Sequence, residues 1–325
     1  MTDPIPYWPG RMITLPSRKQ LWLAEAGATG PEGGNELVLC VHGMTGDATN
    51  WTDFMAELVP DFDCKAVDLP GSGFSPPPKS TRGYSITAQA NTVIELIETL
   101  NAGPVHLVGN SMGGAVSIRV AARRPDLVKT LTLISAVLPD RRPHRQTLHF
   151  PLIALPLLGD RLVEQFSRIP ARNRITGVLA ACFYDPSTVH PARLALTLEE
   201  VSRRDGLPYE AVSVTRAART LVIETFRPTR FSLWHDAERV KAPALVLFGS
   251  HDRLVSPDLA GKAARAFPGA CVMVLPHTGH LGQMEHPETV ASLFREMVAQ
   301  SRASAGPWGI PAATSQLTHS EVTST

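Results

Sequence analysis

The chain has 325 residues, with 31 Lys and Arg against 30 Asp and Glu, a formal net charge of +1, 43% apolar and 19% charged residues. These globular proportions exclude a disordered chain, a collagen-like repeat and a strongly basic nucleic-acid binder. No stretch approaches the ~18–20 uninterrupted apolar residues of a membrane-spanning helix. The most apolar run, Phe150–Leu158, is short and broken by Pro151 and Pro156. Met1 to Gly10 has neither the basic nor the apolar region of a secretion signal. Cys40, Cys64, Cys182 and Cys271 are too widely spaced for a zinc site or a disulfide framework, so a reducing cytoplasm is the expected compartment.

In chain order, Leu21–Ala26 and Glu36–Val41 are predicted strands, the second a continuous apolar run of the buried kind. Asp53–Leu58 reads as a short helix, and Asp63–Val67 as a strand leading into the loop Asp68–Ser75. Ser85 to Leu100 is the clearest helix. Ile86, Ala90, Val93, Ile94, Ile97 and Leu100 recur at three- and four-residue steps, with Ser85 as N-cap and Gly103-Pro104 closing the element. The strand Val105–Gly109, a helix from about Met112 to Arg123 and the strand Val128–Ile134 follow. Such alternation predicts a parallel sheet covered by helices on both faces.

The alternation stops after Ser135. From about Ala136 to His235 the sequence is proline-punctuated and helix-like. It resumes with the strand Ala244–Gly249, a helix around Leu259–Ala266, the strand Cys271–Leu275 and a last helix from Pro287 to Ala299. The simplest organisation is a core of residues 1–135 and 236–300, a helical cap of residues 136–235 inserted into it, and a tail of residues 301–325 rich in Ser, Thr, Ala and Gly, expected to be disordered.

The strongest chemical feature is Val108-Gly109-Asn110-Ser111-Met112-Gly113-Gly114, a G-x-S-x-G match between a predicted strand and a predicted helix. A sharp strand-to-helix turn crowds the positions two before and two after the serine, and glycine relieves the clash. The turn lifts Ser111 above the sheet at the positive end of the next helix. The competing reading is a glycine-rich turn whose serine merely caps that helix. A serine nucleophile needs a base that is itself oriented. Asp252, in Gly249-Ser-His-Asp-Arg-Leu-Val255, and His280, in Pro276-His-Thr-Gly-His-Leu281, both follow strands, where open α/β sheets place their sites.

With these motifs in this order, the chain resembles the α/β-hydrolase family over nearly all of residues 10–300. The resemblance implies a doubly wound, mostly parallel eight-stranded sheet with a helical cap inserted after the sixth core strand. It makes Ser111 the nucleophile, Asp252 the acid and His280 the base. His42-Gly43-Met44 matches the family's H-G-x turn, implying oxyanion donors at the backbone N–H groups of Met44 and Met112. Asp68-Leu-Pro-Gly-Ser-Gly-Phe-Ser75 matches its D-x-x-G-x-G-x-S segment. His277 is the competing base and Asp140 the competing acid. His251 reads as a loop-lining residue, His42 as a histidine bonded to local backbone, His106 as a packed core residue, and Glu285 and His286 as local partners at the last helix. No cofactor or metal is expected. Related dehalogenases and epoxide hydrolases need a carboxylate where Ser111 stands, so serine points to acyl transfer.

Residues 136–235 hold fourteen arginines, no lysine and nine acidic residues, a net +5 against −4 for the remainder. These arginines read either as solvated helix decoration or as clamps for an anionic substrate group. Phe150–Leu158 with Leu162, Val163, Phe166, Phe183, Phe226, Phe231 and Trp234 would give the cap an apolar underside. The leading expectation is a serine hydrolase acting on a small-to-medium apolar carboxylic ester or thioester. The alternative is a carbon–carbon hydrolase of the meta-cleavage-product type, whose nucleophile turn the sequence resembles. That group's glycine-rich oxyanion loop is replaced here by His42-Gly-Met-Thr-Gly-Asp47, and its Trp after the histidine by Leu281. A non-enzymatic ligand-binding member of the fold is the third reading.

Overall fold

The computed structural model describes residues 4–27, 36–140 and 150–303. Eight strands form one sheet: β1 (Gly10–Thr14), β2 (Gln20–Ala26), β3 (Leu37–Val41), β4 (Asp63–Val67), β5 (Val105–Asn110), β6 (Val128–Ile134), β7 (Ala244–Gly249) and β8 (Cys271–Leu275). Their spatial order is β1-β2-β4-β3-β5-β6-β7-β8. β1 and β2 pair antiparallel, as do β2 and β4; every other pair is parallel. This is the doubly wound, mostly parallel sheet that the resemblance implied. Seven strands are readable from the sequence directly. The eighth, β1, escapes because it is a short edge strand whose burial does not follow a clean apolar alternation.

The central strands β3, β5 and β7 are buried at every position, as their apolar runs require. Helices α1 (Thr52–Leu58), α2 (Ile86–Leu100) and α3 (Met112–Arg123) belong to the first half of the sheet. Ser85 caps α2 through its side chain, which accepts the Ala88 N–H at 3.2 Å, and Asn101 ends it in the left-handed conformation. Between β6 and β7 lie α4 (Phe150–Ala154), α5 (Leu158–Ser167), α6 (Ala171–Cys182), α7 (Pro191–Asp205), α8 (Glu210–Thr225) and α9 (Leu233–Ala237). After β7 come α10 (Ala260–Ala266), α11 (Gly282–Glu285) and α12 (Pro287–Ala303).

Two apolar clusters fill the two faces of the sheet. One joins the inner sides of α2, α3, α9 and α10 to it; the other gathers Trp51, Phe54, Leu58 and the α12 residues Val290, Phe294 and Met297. Cys40 and Cys64 pack in the second cluster as small apolar groups, and burial pushes both thiols up. His106 is fully buried too, its ring nitrogens 2.8 Å from Thr130 Oγ1 and from Glu36 Oε2.

One boundary moves. Where a tail was expected from residue 301, α12 continues to Ala303, and the remaining residues 304–325 lie outside the described ones. The apolar residues between β6 and β7 divide into covered and open ones. Val163, Phe183 and Trp234 are buried, but Leu152, Leu155, Leu157, Leu158, Leu162, Phe166, Phe226 and Phe231 are exposed, Phe226 by 80%. Amphipathic patterning says which face of a helix is apolar, but not whether a neighbour covers it. Among the described residues no helix is long and apolar enough to cross a membrane.

Candidate active site

Ser111 sits between β5 and α3 with φ 54° and ψ −119°, a left-handed conformation that costs a side-chain-bearing residue about 1–3 kcal/mol. The flanking glycines make the turn possible. A Cβ on Gly109 would lie 2.6 Å from Gly113 O and Ser117 Oγ, and one on Gly113 would collide with Val41 O and His42 O. The Ser111 N–H donates to Ile134 O at 3.1 Å, and Ser111 O accepts from Ala115 and Val137. The hydroxyl makes no capping hydrogen bond to α3, which removes the helix-cap explanation of this serine.

His280 and Asp252 reach the same end of the sheet from the loops after β8 and β7. His280 Nδ1 is 2.8 Å from Asp252 Oδ2, while Asp252 Oδ1 accepts the Leu254 and Val255 N–H groups at 2.8 and 3.0 Å. Burial alone would raise the Asp252 carboxyl; His280 and the two amides outweigh it and hold the group below its ordinary value. Asn110 links this pair to the serine turn, its Nδ2 donating to both Ile134 O and His280 O at 3.1 Å. No Ser111 Oγ–His280 Nε2 hydrogen bond is present among the described residues, and such bonds are often long in unliganded sites. His277 points elsewhere: it has φ 49°, and its ring stacks with His251 and meets Tyr184. Asp140 is not the carboxylate on His280.

The loop after β3 closes over Ser111, so that a Cβ on Gly43 would lie 3.0 Å from Ser111 Cβ. Gly43 O is held by His42 Nδ1 at 2.7 Å and the Gly46 N–H at 3.2 Å. In a trans peptide the C=O and N–H point oppositely, so these contacts turn the Met44 N–H away from them. Ser111 O, bound to two amides, fixes the Met112 N–H by the same rule. Neither N–H has an intramolecular acceptor among the described residues. His42 is buried, accepts the Leu69 N–H on Nε2, and burial lowers its pKa to about 4, so it is a neutral loop organiser.

Two supports of this arrangement go beyond the sequence reading, which gave Glu285 a local role only and Arg204 none. Glu285 accepts the Gly279 N–H at 2.9 Å and the Tyr184 N–H at 2.7 Å, fastening the His280 loop to the end of α6. The His280 N–H reaches Cys182 O at 2.6 Å beside it. Arg204 of α7 is 7% exposed; its Nη1 donates to Thr45 O at 2.8 Å and to Asp47 Oδ2 at 3.1 Å, and its Nε to Glu210 Oε1 at 3.1 Å. Composition marked Arg204 only as one of fourteen arginines. Partners 157 and 159 residues away leave no local signal in a sequence.

Residues 36–287 match the family described as alpha/beta hydrolase fold. The chain belongs to the α/β-hydrolase fold family. Among its relatives is the dihydrolipoyllysine-residue acetyltransferase component of an acetoin cleaving system from Pseudomonas putida, 33% identical over 264 residues. That match covers 80% of this chain but 62% of the relative, so the chain spans less than two thirds of that protein's length. A 2-hydroxy-6-oxononadienedioate/2-hydroxy-6-oxononatrienedioate hydrolase from Burkholderia vietnamiensis is 30% identical over 275 residues, 82% of this chain and 87% of that one. A thermophilic esterase from Thermogutta terrifontis superposes with a TM-score of 0.69 at 25% identity, covering 90% of this chain and 99% of that one.

Proposed function

We propose that this α/β hydrolase cleaves a small-to-medium apolar carboxylic ester or thioester through an acyl-enzyme on Ser111. Residues 136–235 act in this reading as a cap over the site. The observation that carries it is the strained, uncapped Ser111 at a glycine-framed elbow, one residue from an Asn110 bonded to the His280 backbone. His280 Nε2 takes the Ser111 proton as Oγ attacks the carbonyl carbon, and Asp252 holds the imidazole by Nδ1. The Met44 and Met112 N–H groups receive the oxyanion; one such donor is worth about 2.7–4 kcal/mol of barrier. The protonated His280 gives its proton to the leaving alcohol or thiol, then activates the water that frees the acid.

Carbon–carbon cleavage is the second reading, favoured by the Burkholderia relative and by Asn110 beside the serine. Against an anionic clamp of the kind a dioate would use, Arg168, Arg174, Arg193, Arg203, Arg204 and Arg227 are all engaged with carboxylates of this chain. Arg141, Arg142 and Arg145 lie outside the described residues.

A panel of p-nitrophenyl esters of graded chain length, run beside a vinylogous 1,5-diketone, separates the two readings. Ester turnover that disappears in Ser111→Ala, with a fluorophosphonate labelling the native protein at Ser111, is the expected result. Turnover of the diketone alone replaces ester hydrolysis with carbon–carbon cleavage, and labelling at another residue removes Ser111 as nucleophile.

A further inference from the structure

Apart from the serine site, a cavity of about 220 Å³ lies beside the β2 and β4 end of the sheet. Tyr7 and Trp8 from the segment before β1, Trp22 from β2 and Phe74 from the loop after β4 present four aromatic rings to it; Asp47, Asp68 and Glu200 supply carboxylates. None of Met44, Ser111, Met112, Asp252 or His280 lines it. Trp22 and Phe74 lean together with centroids 4.8 Å apart, forming one apolar wall.

Charge around this cavity is out of balance. Asp47 and Glu210 share a single guanidinium, Arg204, and Glu200 holds Arg203. Asp68, 1% exposed, has no cationic partner among the described residues; its two oxygens accept only the Ala48 and Phe74 N–H groups, each at 2.7 Å. Of the three lining carboxylates, Asp47 and Glu200 therefore hold arginines and Asp68 alone has no cation, in a desolvated place where ionising it without a partner is costly.

Aromatic faces beside carboxylates are the surroundings that hold an organic cation, because ring quadrupoles attract the charge while the rings pack on its carbon groups. The lining already shows this affinity: the Arg203 guanidinium carbon lies 3.7 Å from the Phe74 ring centroid. The volume is below the roughly 300–1,000 Å³ of drug-sized sites, so the ligand is a small one. We propose that this cavity binds a small organic ammonium ion, its carbon groups against Trp8, Trp22 and Phe74 and its charge toward Asp68 and Glu200. The proposal stands independently of the ester-hydrolase reading.

A pH dependence supports the test. Burial first, and then Asp47 and Glu200, push the Asp68 carboxyl up to about 8, against the two backbone amides that lower it. Arg193, Arg203 and Arg204 of α7, with Arg193 paired to Asp53 of α1 and lying 5.3 Å from the Tyr7 ring centroid, and Glu210 of α8 are the other charged groups nearby, and the Tyr7 phenol, raised by burial, stays neutral. A cation favours ionised Asp68, so its affinity rises as pH rises through about 8.

Isothermal titration of the full chain with choline chloride, and with its uncharged isostere 3,3-dimethylbutan-1-ol, tests the site at constant ionic strength set with sodium chloride. Choline is expected to bind at least about tenfold more tightly than the alcohol, and more tightly near pH 9 than near pH 7. Glu200→Gln and Phe74→Leu should each weaken choline by at least about threefold. Phe74 is 41% exposed, so its replacement leaves a folded protein to measure. Absence of choline binding, equal binding of the alcohol, or unchanged affinity in both folded variants overturns the proposal.

Discussion

Around Ser111 the backbone does the positioning, whereas the helices between β6 and β7 are held to the sheet by buried side-chain charge. The serine turn depends on Gly109 and Gly113, on amide contacts and on a left-handed residue. Among the ties of the helical region to the core are two buried arginines. Arg119 of α3 holds Glu224 of α8 at 2.9 Å, Asp236 of α9 at 2.8 Å and Phe231 O at 3.3 Å. Arg204 instead ties α7 and α8 to the loop that carries Met44, and Thr45 there sits at φ 61°. The two anchors have similar chemistry and different destinations: one sits on the helix that follows Ser111, the other grips the loop after β3. Backbone positioning leaves a motif in the sequence, and side-chain anchoring leaves only scattered arginines.

The largest effects belong on the backbone-built side. Replacing His280 by Ala should lower kcat by at least roughly a thousandfold and also lower thermal stability, because it leaves the buried Asp252 carboxylate without its partner. Asp252→Asn should cost about 10⁴ in kcat by holding the wrong imidazole tautomer. A loss of only a few-fold in steady-state ester hydrolysis for either variant transfers the role to His277 or Asp140.

The two arginines separate when each is exchanged for lysine, which keeps charge but loses the planar fork. Arg204→Lys should lower kcat by about tenfold with little change in KM, since a loosened Thr45 lets the Met44 amide turn away from the developing oxyanion. Arg119→Lys should leave kcat alone and reduce stability, because a lysine keeps the charge but cannot hold both Glu224 and Asp236 as the fork does. Denaturation midpoints and steady-state kinetics measured on both variants decide this. Identical behaviour of the two would reduce Arg204 to an ordinary structural anchor.

Legibility in the sequence followed the same division. The helix Met112–Arg123 is read with the bounds it has, and α2 begins one residue after the Ser85 that caps it. Periodicity and capping are local, and the G-x-S-x-G glycines are legible because the turn itself demands them, even though Gly113's clash partners Val41 and His42 lie on another strand. The His280–Asp252 contact could be anticipated because both residues follow strands and match the acid and base motifs of the family the sequence resembles. The Glu285 fastening of Gly279 and Tyr184 could not, since α6 is brought beside the His280 loop by tertiary packing alone. Nor could the charge deficit at Asp68, which depends on which arginines are already taken.

The smallest expected effect concerns the outward apolar residues of the helical region. In α5, Leu158, Leu162 and Phe166 recur every four residues on a stripe beside the buried Gly159 and Val163, so one apolar arc is half covered and half open. Leu157, just before it, is 75% exposed and Phe226, after α8, is 80% exposed. Side chains this open lose almost no transfer free energy on truncation, so Leu157→Ser and Phe226→Ser should each change stability by no more than about 0.5 kcal/mol. Val163→Ser, by contrast, removes a covered side chain from the same helix and should cost about 1–3 kcal/mol. Thermal melts of the three variants at low and high protein concentration check this. A concentration-dependent loss confined to Leu157→Ser and Phe226→Ser would mean that a second copy covers that face in solution, and the open half of the arc would then be an interface.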